Sequence, residues 1–220
     1  MSVTIGVQAA QLKAAAATHL PAEVAAVFGR RAEEMAQRGI PDEVVRVGDR
    51  LAPFALSDAF DRTVTLDDIT AEGPAVIVFY RGGWCPYCNL ALRTYQQELL
   101  PQLGQFDARL VAISGQAPEE SMTTAMKAAV EYPVLSDPGC RVAHDIGLAF
   151  QETEEVLSAQ RMLGLDLRKA NAQASTVLPM PTVLIVDTAH IVRFVDVHPD
   201  YTTRTEVADI VAALRALQDR

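Results

Sequence analysis

Cysteine is scarce in this chain, with three residues among 220. That number does not make a disulfide framework. No apolar run reaches the ~18 residues needed to span a bilayer. The N-terminus, MSVTIGVQAAQLKAAAATHL, lacks a basic region followed by a continuous apolar block, so no secretory signal is expected. The expected compartment is the cytoplasm, where a stable structural disulfide is unusual. Any pairing of these cysteines is then chemical rather than architectural. Aromatic residues make up only 6% of the chain, so Ala, Val, Leu and Ile must build the core. Positive charge is also short, with 19 Lys and Arg against 28 Asp and Glu, a net charge of −9. Nucleic acid and anionic membrane are excluded as expected partners, because polyanions would be repelled. Glycine and proline, 12 of each, are too few for a fibrous or linker-dominated chain.

Half of the residues are hydrophobic and 21% are charged, as in a soluble globular protein. At roughly 150 residues per domain, the length fits one domain with an appendage, or one enlarged domain. Residues 1–47 read as helical. Val24, Val27, Phe28 and Met35 share one face, and Gly39 with Pro41 ends the helix. That apolar face needs cover, from the domain or from a second copy in a homodimer. The expected division is a helical extension over 1–45 and a main domain over 46–220.

Within the main domain, Leu51, Pro53, Phe54, Leu56 and Val64–Leu66 suggest short extended segments. Ala75–Tyr80 is a β-rich run between Gly73-Pro74 and Gly82-Gly83, and reads as a buried central strand. A helix is expected from Asn89 to about Leu103, a second strand at Arg109–Ile113, and a helix from Pro118 to about Tyr132. This order is a right-handed crossover unit of a parallel sheet. A turn at Ser136–Gly139 precedes a short helix near Val142–Ile146. Residues 151–175 read as helical in their first half and loop-like from Lys169. Val183–Val186 and Ile191–Val195 form an expected antiparallel hairpin. Thr205–Leu217 is amphipathic and closes the domain. The expected class is α/β, a thioredoxin-like fold with a central mixed sheet flanked by helices.

The chemistry centres on Trp84-Cys85-Pro86-Tyr87-Cys88, placed between the central strand and a helix. C-x-x-C at a helix mouth lets two sulfurs meet across the first turn. The unpaired N–H groups and positive dipole end of the helix stabilise a thiolate there. Pro86 suits the first turn, where its missing N–H costs little. Arg81 is a candidate to hold a thiolate or a peroxide oxygen, the alternative being a solvated loop arginine. Trp84 is a candidate wall of the site. Half a zinc site is a competing reading, with Cys140 and His144 as a poorly spaced second half. Inert core cysteines are another. Glu119 and Glu120 fit the negative first turn of a helix. His144, His190 and His198 are scattered and read as structural or solvent-facing.

Gly48-Asp-Arg-Leu-Ala-Pro53, Phe79–Cys88, Val111–Ser114, Pro118–Ser121, Leu135–Pro138 and Leu184–Asp187 occur in the order of the peroxiredoxins. The chain thus resembles the alkyl hydroperoxide reductase/thiol-specific antioxidant family over about residues 46–200. The resemblance implies reduction of hydroperoxides by a cysteine thiolate, without metal or organic cofactor. A sulfenic acid forms, and a second thiol condenses with it to a disulfide. Thioredoxin, glutaredoxin or glutathione is the implied reductant. The family turn Pro-x-x-x-Thr-x-x-Cys, laid over Arg81–Cys88, puts the attacking sulfur at Cys88. It also puts Cys85 where the family has threonine and Arg81 where it has proline. The arginine that precedes the family's late strand is replaced here by Pro181. A proline at that place resembles thioredoxin and glutaredoxin, and implies a cis Pro181 facing the dithiol, with Met180 offering its backbone to an extended disulfide substrate.

The candidate site residues are therefore Cys85 and Cys88 for catalysis, Arg81, Trp84, Met180 and Pro181 for substrate binding, and none for metal. Family register favours Cys88 as attacker, and exposure at the helix mouth favours Cys85. Cys140 is a candidate remote resolving thiol or a plain buried one. Two other functions compete with the peroxidase: thiol–disulfide exchange without peroxidase activity, and a non-catalytic thioredoxin-fold binding module.

Overall fold

The computed structural model describes residues 3–219. Met1 and Ser2 of the expected extension, and Arg220 of the expected domain, lie outside the described residues. The extension is two helices rather than one, α1 (Ile5–His19) and α2 (Ala22–Arg38). Pro21 causes the break. The residue before a proline is pushed out of the helical region, and Leu20 is extended at φ −81° and ψ 149°. Gly39 ends α2 at φ 73°, in the left-handed region that favours glycine.

The main domain begins with a hairpin, β1 (Ala55–Asp58) and β2 (Thr63–Thr65), and a capped turn of helix, α3 (Leu66–Thr70). Then follow β3 (Ala75–Phe79), α4 (Pro86–Thr94), α5 (Leu100–Leu103) and β4 (Arg109–Ser114). A π turn over Tyr95–Leu99 joins α4 to α5. Pro101 lies just beyond it and has no N–H for an i−4 carbonyl, so the ladder widens there instead of breaking. Next come α6 (Pro118–Ala128), β5 (Val134–Ser136) and α7 (Arg141–Asp145). The helix expected to reach Tyr132 stops early, because Ala129 turns left-handed at φ 52°.

Residues 151–175 depart most from expectation. β6 (Ala149–Gln151) pairs with β7 (Val177–Pro179) as a separate two-stranded sheet around α8 (Glu154–Met162) and α9 (Leu167–Ala170). Strands of three residues are too short to show a period. The expected hairpin is present as β8 (Thr182–Val186) and β9 (Val192–Val197), and α10 (Val207–Gln218) closes the chain.

The main sheet has seven strands in the order β2-β1-β5-β4-β3-β8-β9. β3, β4 and β5 are parallel, while β8 runs antiparallel to β3 with Phe79 opposite Thr182. This is the mixed sheet of the thioredoxin-like fold. Side chains alternate across it and divide the core in two. Val76, Val78 and Tyr80 face one layer with α4 and α10; Ala75, Ile77 and Phe79 face the other with α7. The extension joins both layers. Ile5 and Ala9 enter the first and Met35 the second, and Val24 is buried as well.

Candidate active site

The site forms where β3 ends and α4 begins. Gly82 and Gly83 make the turn. Gly82 has φ 153°, and a Cβ there would strike the Trp84 ring; a Cβ on Gly83 would strike the Thr124 hydroxyl. The turn is held from below, because Gln116 Oε1 accepts from Gly83 N at 2.8 Å and from Thr124 Oγ1 at 3.1 Å. Cys85 then caps α4, with Pro86 in its first turn. The Cys85 carbonyl accepts from Cys88 N and Asn89 N, both at 3.1 Å. The C-x-x-C segment is thus the first turn of the helix, and both sulfurs lie in the first core layer, buried.

A residue that the sequence did not single out completes the site. Arg204, from the loop between β9 and α10, is buried and donates from Nη2 to Cys88 Sγ at 2.9 Å, with Cys85 Sγ at 4.0 Å. Its Nη1 donates to the carbonyls of Tyr201 and Thr203, which fix the guanidinium in place. The two sulfurs consequently differ. Burial pushes the Cys88 thiol up, but a hydrogen bond from Cys85, the Arg204 charge and the Arg81 backbone N–H outweigh it and hold Cys88 well below the usual thiol range. Burial and the neighbouring Cys88 anion push Cys85 well above it, against the pull of Arg204 and Arg81. The pair is a thiolate at Cys88 with the Cys85 S–H directed at it.

Arg81 is not a solvated loop residue. It is buried and ion-paired with Glu152 at 3.2 Å, and Glu152 also takes Arg31 of α2 at 3.1 Å. The Arg81 guanidinium stacks 4.3 Å from the Tyr201 ring centre and 5.2 Å from that of Trp84. Trp84 and Tyr201 thus clamp Arg81, and Tyr87 meets Tyr201 edge to face at 6.0 Å. Arg81, Trp84 and Cys85 line one wall of a cavity of about 750 Å³ whose opposite wall is α1 and α2.

The expectation of a cis Pro181 is overturned. There is no cis peptide bond among the described residues. The backbone there is already committed: Met180 N donates to Leu148 O at 2.9 Å, and Pro181 O accepts from His198 N at 2.8 Å. These bonds tie the Met180-Pro181 link between the two sheets, and they occupy the groups an incoming strand would need. Met180 packs in the second core layer, on the other face of the sheet from the dithiol, and neither Met180 nor Pro181 lines the cavity. Cys140 lies in that second layer too, where burial and Asp137 push its thiol up to about 12. The zinc alternative needs Cys140 and His144 beside Cys85 and Cys88, but Cys140 is across the sheet and the His144 side chain is 81% exposed.

Residues 47–195 match the AhpC/TSA family. The chain belongs to that family. No curated protein matches it by sequence. Solved structures share its fold. The peroxidoxin BcpB of Mycobacterium tuberculosis is 22% identical, with a TM-score of 0.62 over 79% of this chain and 98% of its own. A peroxiredoxin-like protein of Aquifex aeolicus is 15% identical, with a TM-score of 0.62 over 79% of this chain and 88% of its own. A thiol peroxidase of Chromobacterium violaceum is 16% identical, with a TM-score of 0.60 over 81% of this chain and 91% of its own. In this AhpC/TSA member the closely spaced Cys85 and Cys88 are suited to a dithiol–disulfide cycle. No helix among the described residues is long and apolar enough to cross a membrane.

Proposed function

We propose that the protein is a thiol peroxidase in which Cys88 attacks and Cys85 resolves. The observation that carries this is the buried Arg204 guanidinium, 2.9 Å from Cys88 Sγ, with the Cys85 thiol hydrogen-bonded to that sulfur. The Cys88 thiolate attacks the terminal oxygen of a hydroperoxide. The O–O bond breaks, an S–O bond forms, and the alkoxide or hydroxide leaves with a proton from water. Two electrons have passed from sulfur to oxygen, leaving a sulfenic acid at Cys88. Arg204 is placed for both states, since its N–H groups stabilise the thiolate and the oxygen charge that builds as the bond breaks. Cys85 then condenses with the sulfenic acid, forming the disulfide and releasing water. Two thiols of thioredoxin, glutaredoxin or glutathione return the pair to the dithiol. Such a cycle fits a reducing compartment such as the cytoplasm.

Cys88 has no exposed surface. Peroxide therefore reaches it only when a neighbouring side chain gives way, and Tyr87, edge to face with Tyr201 at the helix mouth, is the candidate gate. Thiol–disulfide exchange is the second reading. It is favoured by the cavity-lining position of Cys85, the sulfur an incoming thiolate meets first in the oxidised pair.

The reduced wild-type protein, treated with equimolar hydrogen peroxide and peptide-mapped, is expected to carry a Cys85–Cys88 disulfide and an unmodified Cys140. Failure to react with peroxide, together with rapid exchange with disulfides, would replace the first reading by the second. A dominant bond to Cys140 would remove both.

A further inference from the structure

The cavity above Cys85 is built largely from residues that the AhpC/TSA match does not include. Its outer wall is the extension, with Leu12 and Ala16 from α1, Leu20 just past its end, and Phe28 and Ala32 from α2. Val156 and Leu163 of the segment around α8 close a further side. The space, about 750 Å³, is within the range of roughly 300–1,000 Å³ typical of small-molecule sites.

Two properties define what fits. The lining is mainly apolar, so most of the occupant must be hydrocarbon. Every charged or titratable side chain on it other than the thiol and phenols is basic: Lys13, His19, Arg31 and Arg81. That is unusual in a chain with a net charge of −9. Lys13 and His19 are exposed on α1 and mark the rim, whereas Arg31 and Arg81 are buried and already held by Glu152.

We infer that this cavity binds a single-chain fatty acid, with the hydrocarbon between α1, α2 and α8 and the carboxylate at the Lys13–His19 rim. On the peroxidase reading, on which this part rests, the reducible occupant is a fatty-acid hydroperoxide whose O–OH group lies at the Cys85 end of the cavity. The extension then sets the substrate class, while the dithiol performs the same two-electron reduction described above, returning the hydroxy acid.

The test separates the site from the chemistry by using saturated acids, which cannot be reduced. Octanoate, decanoate, laurate, myristate and palmitate are titrated into the reduced full-length protein below their micellar concentrations, and Trp84 fluorescence is followed. Each added methylene is expected to tighten binding by about fourfold until the cavity is full. Decylamine is expected to bind more weakly than decanoate, because the rim is basic. Ala16→Phe and Ala25→Phe, on separate helices, each fill the space and are expected to lose at least tenfold in affinity for laurate. Retained far-UV circular dichroism and melting temperature in either variant establish that the fold is intact. Affinity independent of chain length, or unchanged in a folded filled variant, would overturn the inference. Decylamine binding as tightly as decanoate would overturn the carboxylate position. If the acids bind but no peroxide oxidises Cys88, the fatty-acid site stands and the peroxidase reading fails. If hydrogen peroxide oxidises Cys88 but no acid binds, the reverse holds.

Discussion

At the scale of residues, two cysteines three positions apart acquire opposite character from one guanidinium. Arg204 makes its 2.9 Å contact with Cys88 alone, and Cys85 adds its S–H to the same sulfur. The Arg204→Met variant tests this. Cys88 is held below the usual thiol range, so its reaction with peroxide should stay constant across neutral pH and fall only as acid protonates it. Without the guanidinium the fall moves up towards the ordinary thiol value of about 8.5. At pH 7 the reactive fraction then drops by about thirtyfold. Stopped-flow oxidation across pH checks this, and alkylation by iodoacetamide should show the same displaced profile. An unshifted profile in a folded variant would show that Arg204 does not set the thiolate.

The dithiol was legible in the sequence because its geometry is local. Strand, glycine turn and C-x-x-C lie within fifteen residues, and a capped helix start needs no distant partner. Arg204 was not legible, because it sits 116 residues from Cys88 and reaches it only through the turn after β9. The loop His198-Pro-Asp-Tyr-Thr-Thr-Arg204 carries no motif that marks it. Pro181 erred the other way. Its sequence setting resembles the thioredoxin proline, but Leu148 holds the Met180 N–H and His198 the Pro181 carbonyl in the linkage between the two sheets.

At the scale of elements, a buried ion triad joins pieces distant in sequence. Glu152, just after β6, accepts from Arg31 of α2 and Arg81 beyond β3. The extension is thereby connected to the loop that bears Cys85. The expected strands at 75–80 and 109–113 and the closing helix emerge almost as read, because buried β-branched runs and one-sided helices report their burial directly. The β6–α8–α9–β7 insertion does not, since its strands are three residues long and the segment is positioned by contacts such as that of its Asn171 with Gln116, far away in the chain. Replacing Glu152 by glutamine keeps the shape and removes the charge. It leaves the buried Arg81 guanidinium without its carboxylate and Arg31 with only the exposed Glu34 at 3.6 Å, and breaking a buried pair costs about 3–5 kcal/mol. Urea unfolding of Glu152→Gln should show that decrease. A change below about 1 kcal/mol would mean that water or another group serves both arginines.

At the scale of the whole molecule, the extension is part of the fold rather than an appendage. Glu206, at the start of α10, accepts from Ile5 N at 3.0 Å and Gly6 N at 2.7 Å, which satisfies the first free donors of α1. The same turn of chain carries Arg204, so α1 is moored two residues from the group that activates Cys88. Deletion of residues 1–45 should expose the cavity wall at Trp84 and Tyr87, lower the melting temperature and promote association. Differential scanning calorimetry and native mass of the truncated and full chains check this, and the full chain's native mass also distinguishes monomer from homodimer. An unchanged melting temperature and mass would show that α1 and α2 contribute nothing to the core.

The most direct measurement is dimedone trapping on two serine variants after one equivalent of hydrogen peroxide. Cys85→Ser leaves the Arg204-paired sulfur in place without a resolving partner, so it should accumulate sulfenic acid at Cys88 and overoxidise on repeated exposure. Cys88→Ser removes the thiolate and leaves Cys85 a buried, protonated thiol, so it should trap no dimedone. Trapping at Cys85 in the Cys88→Ser variant, with none in Cys85→Ser, would contradict the assignment of the attacking sulfur.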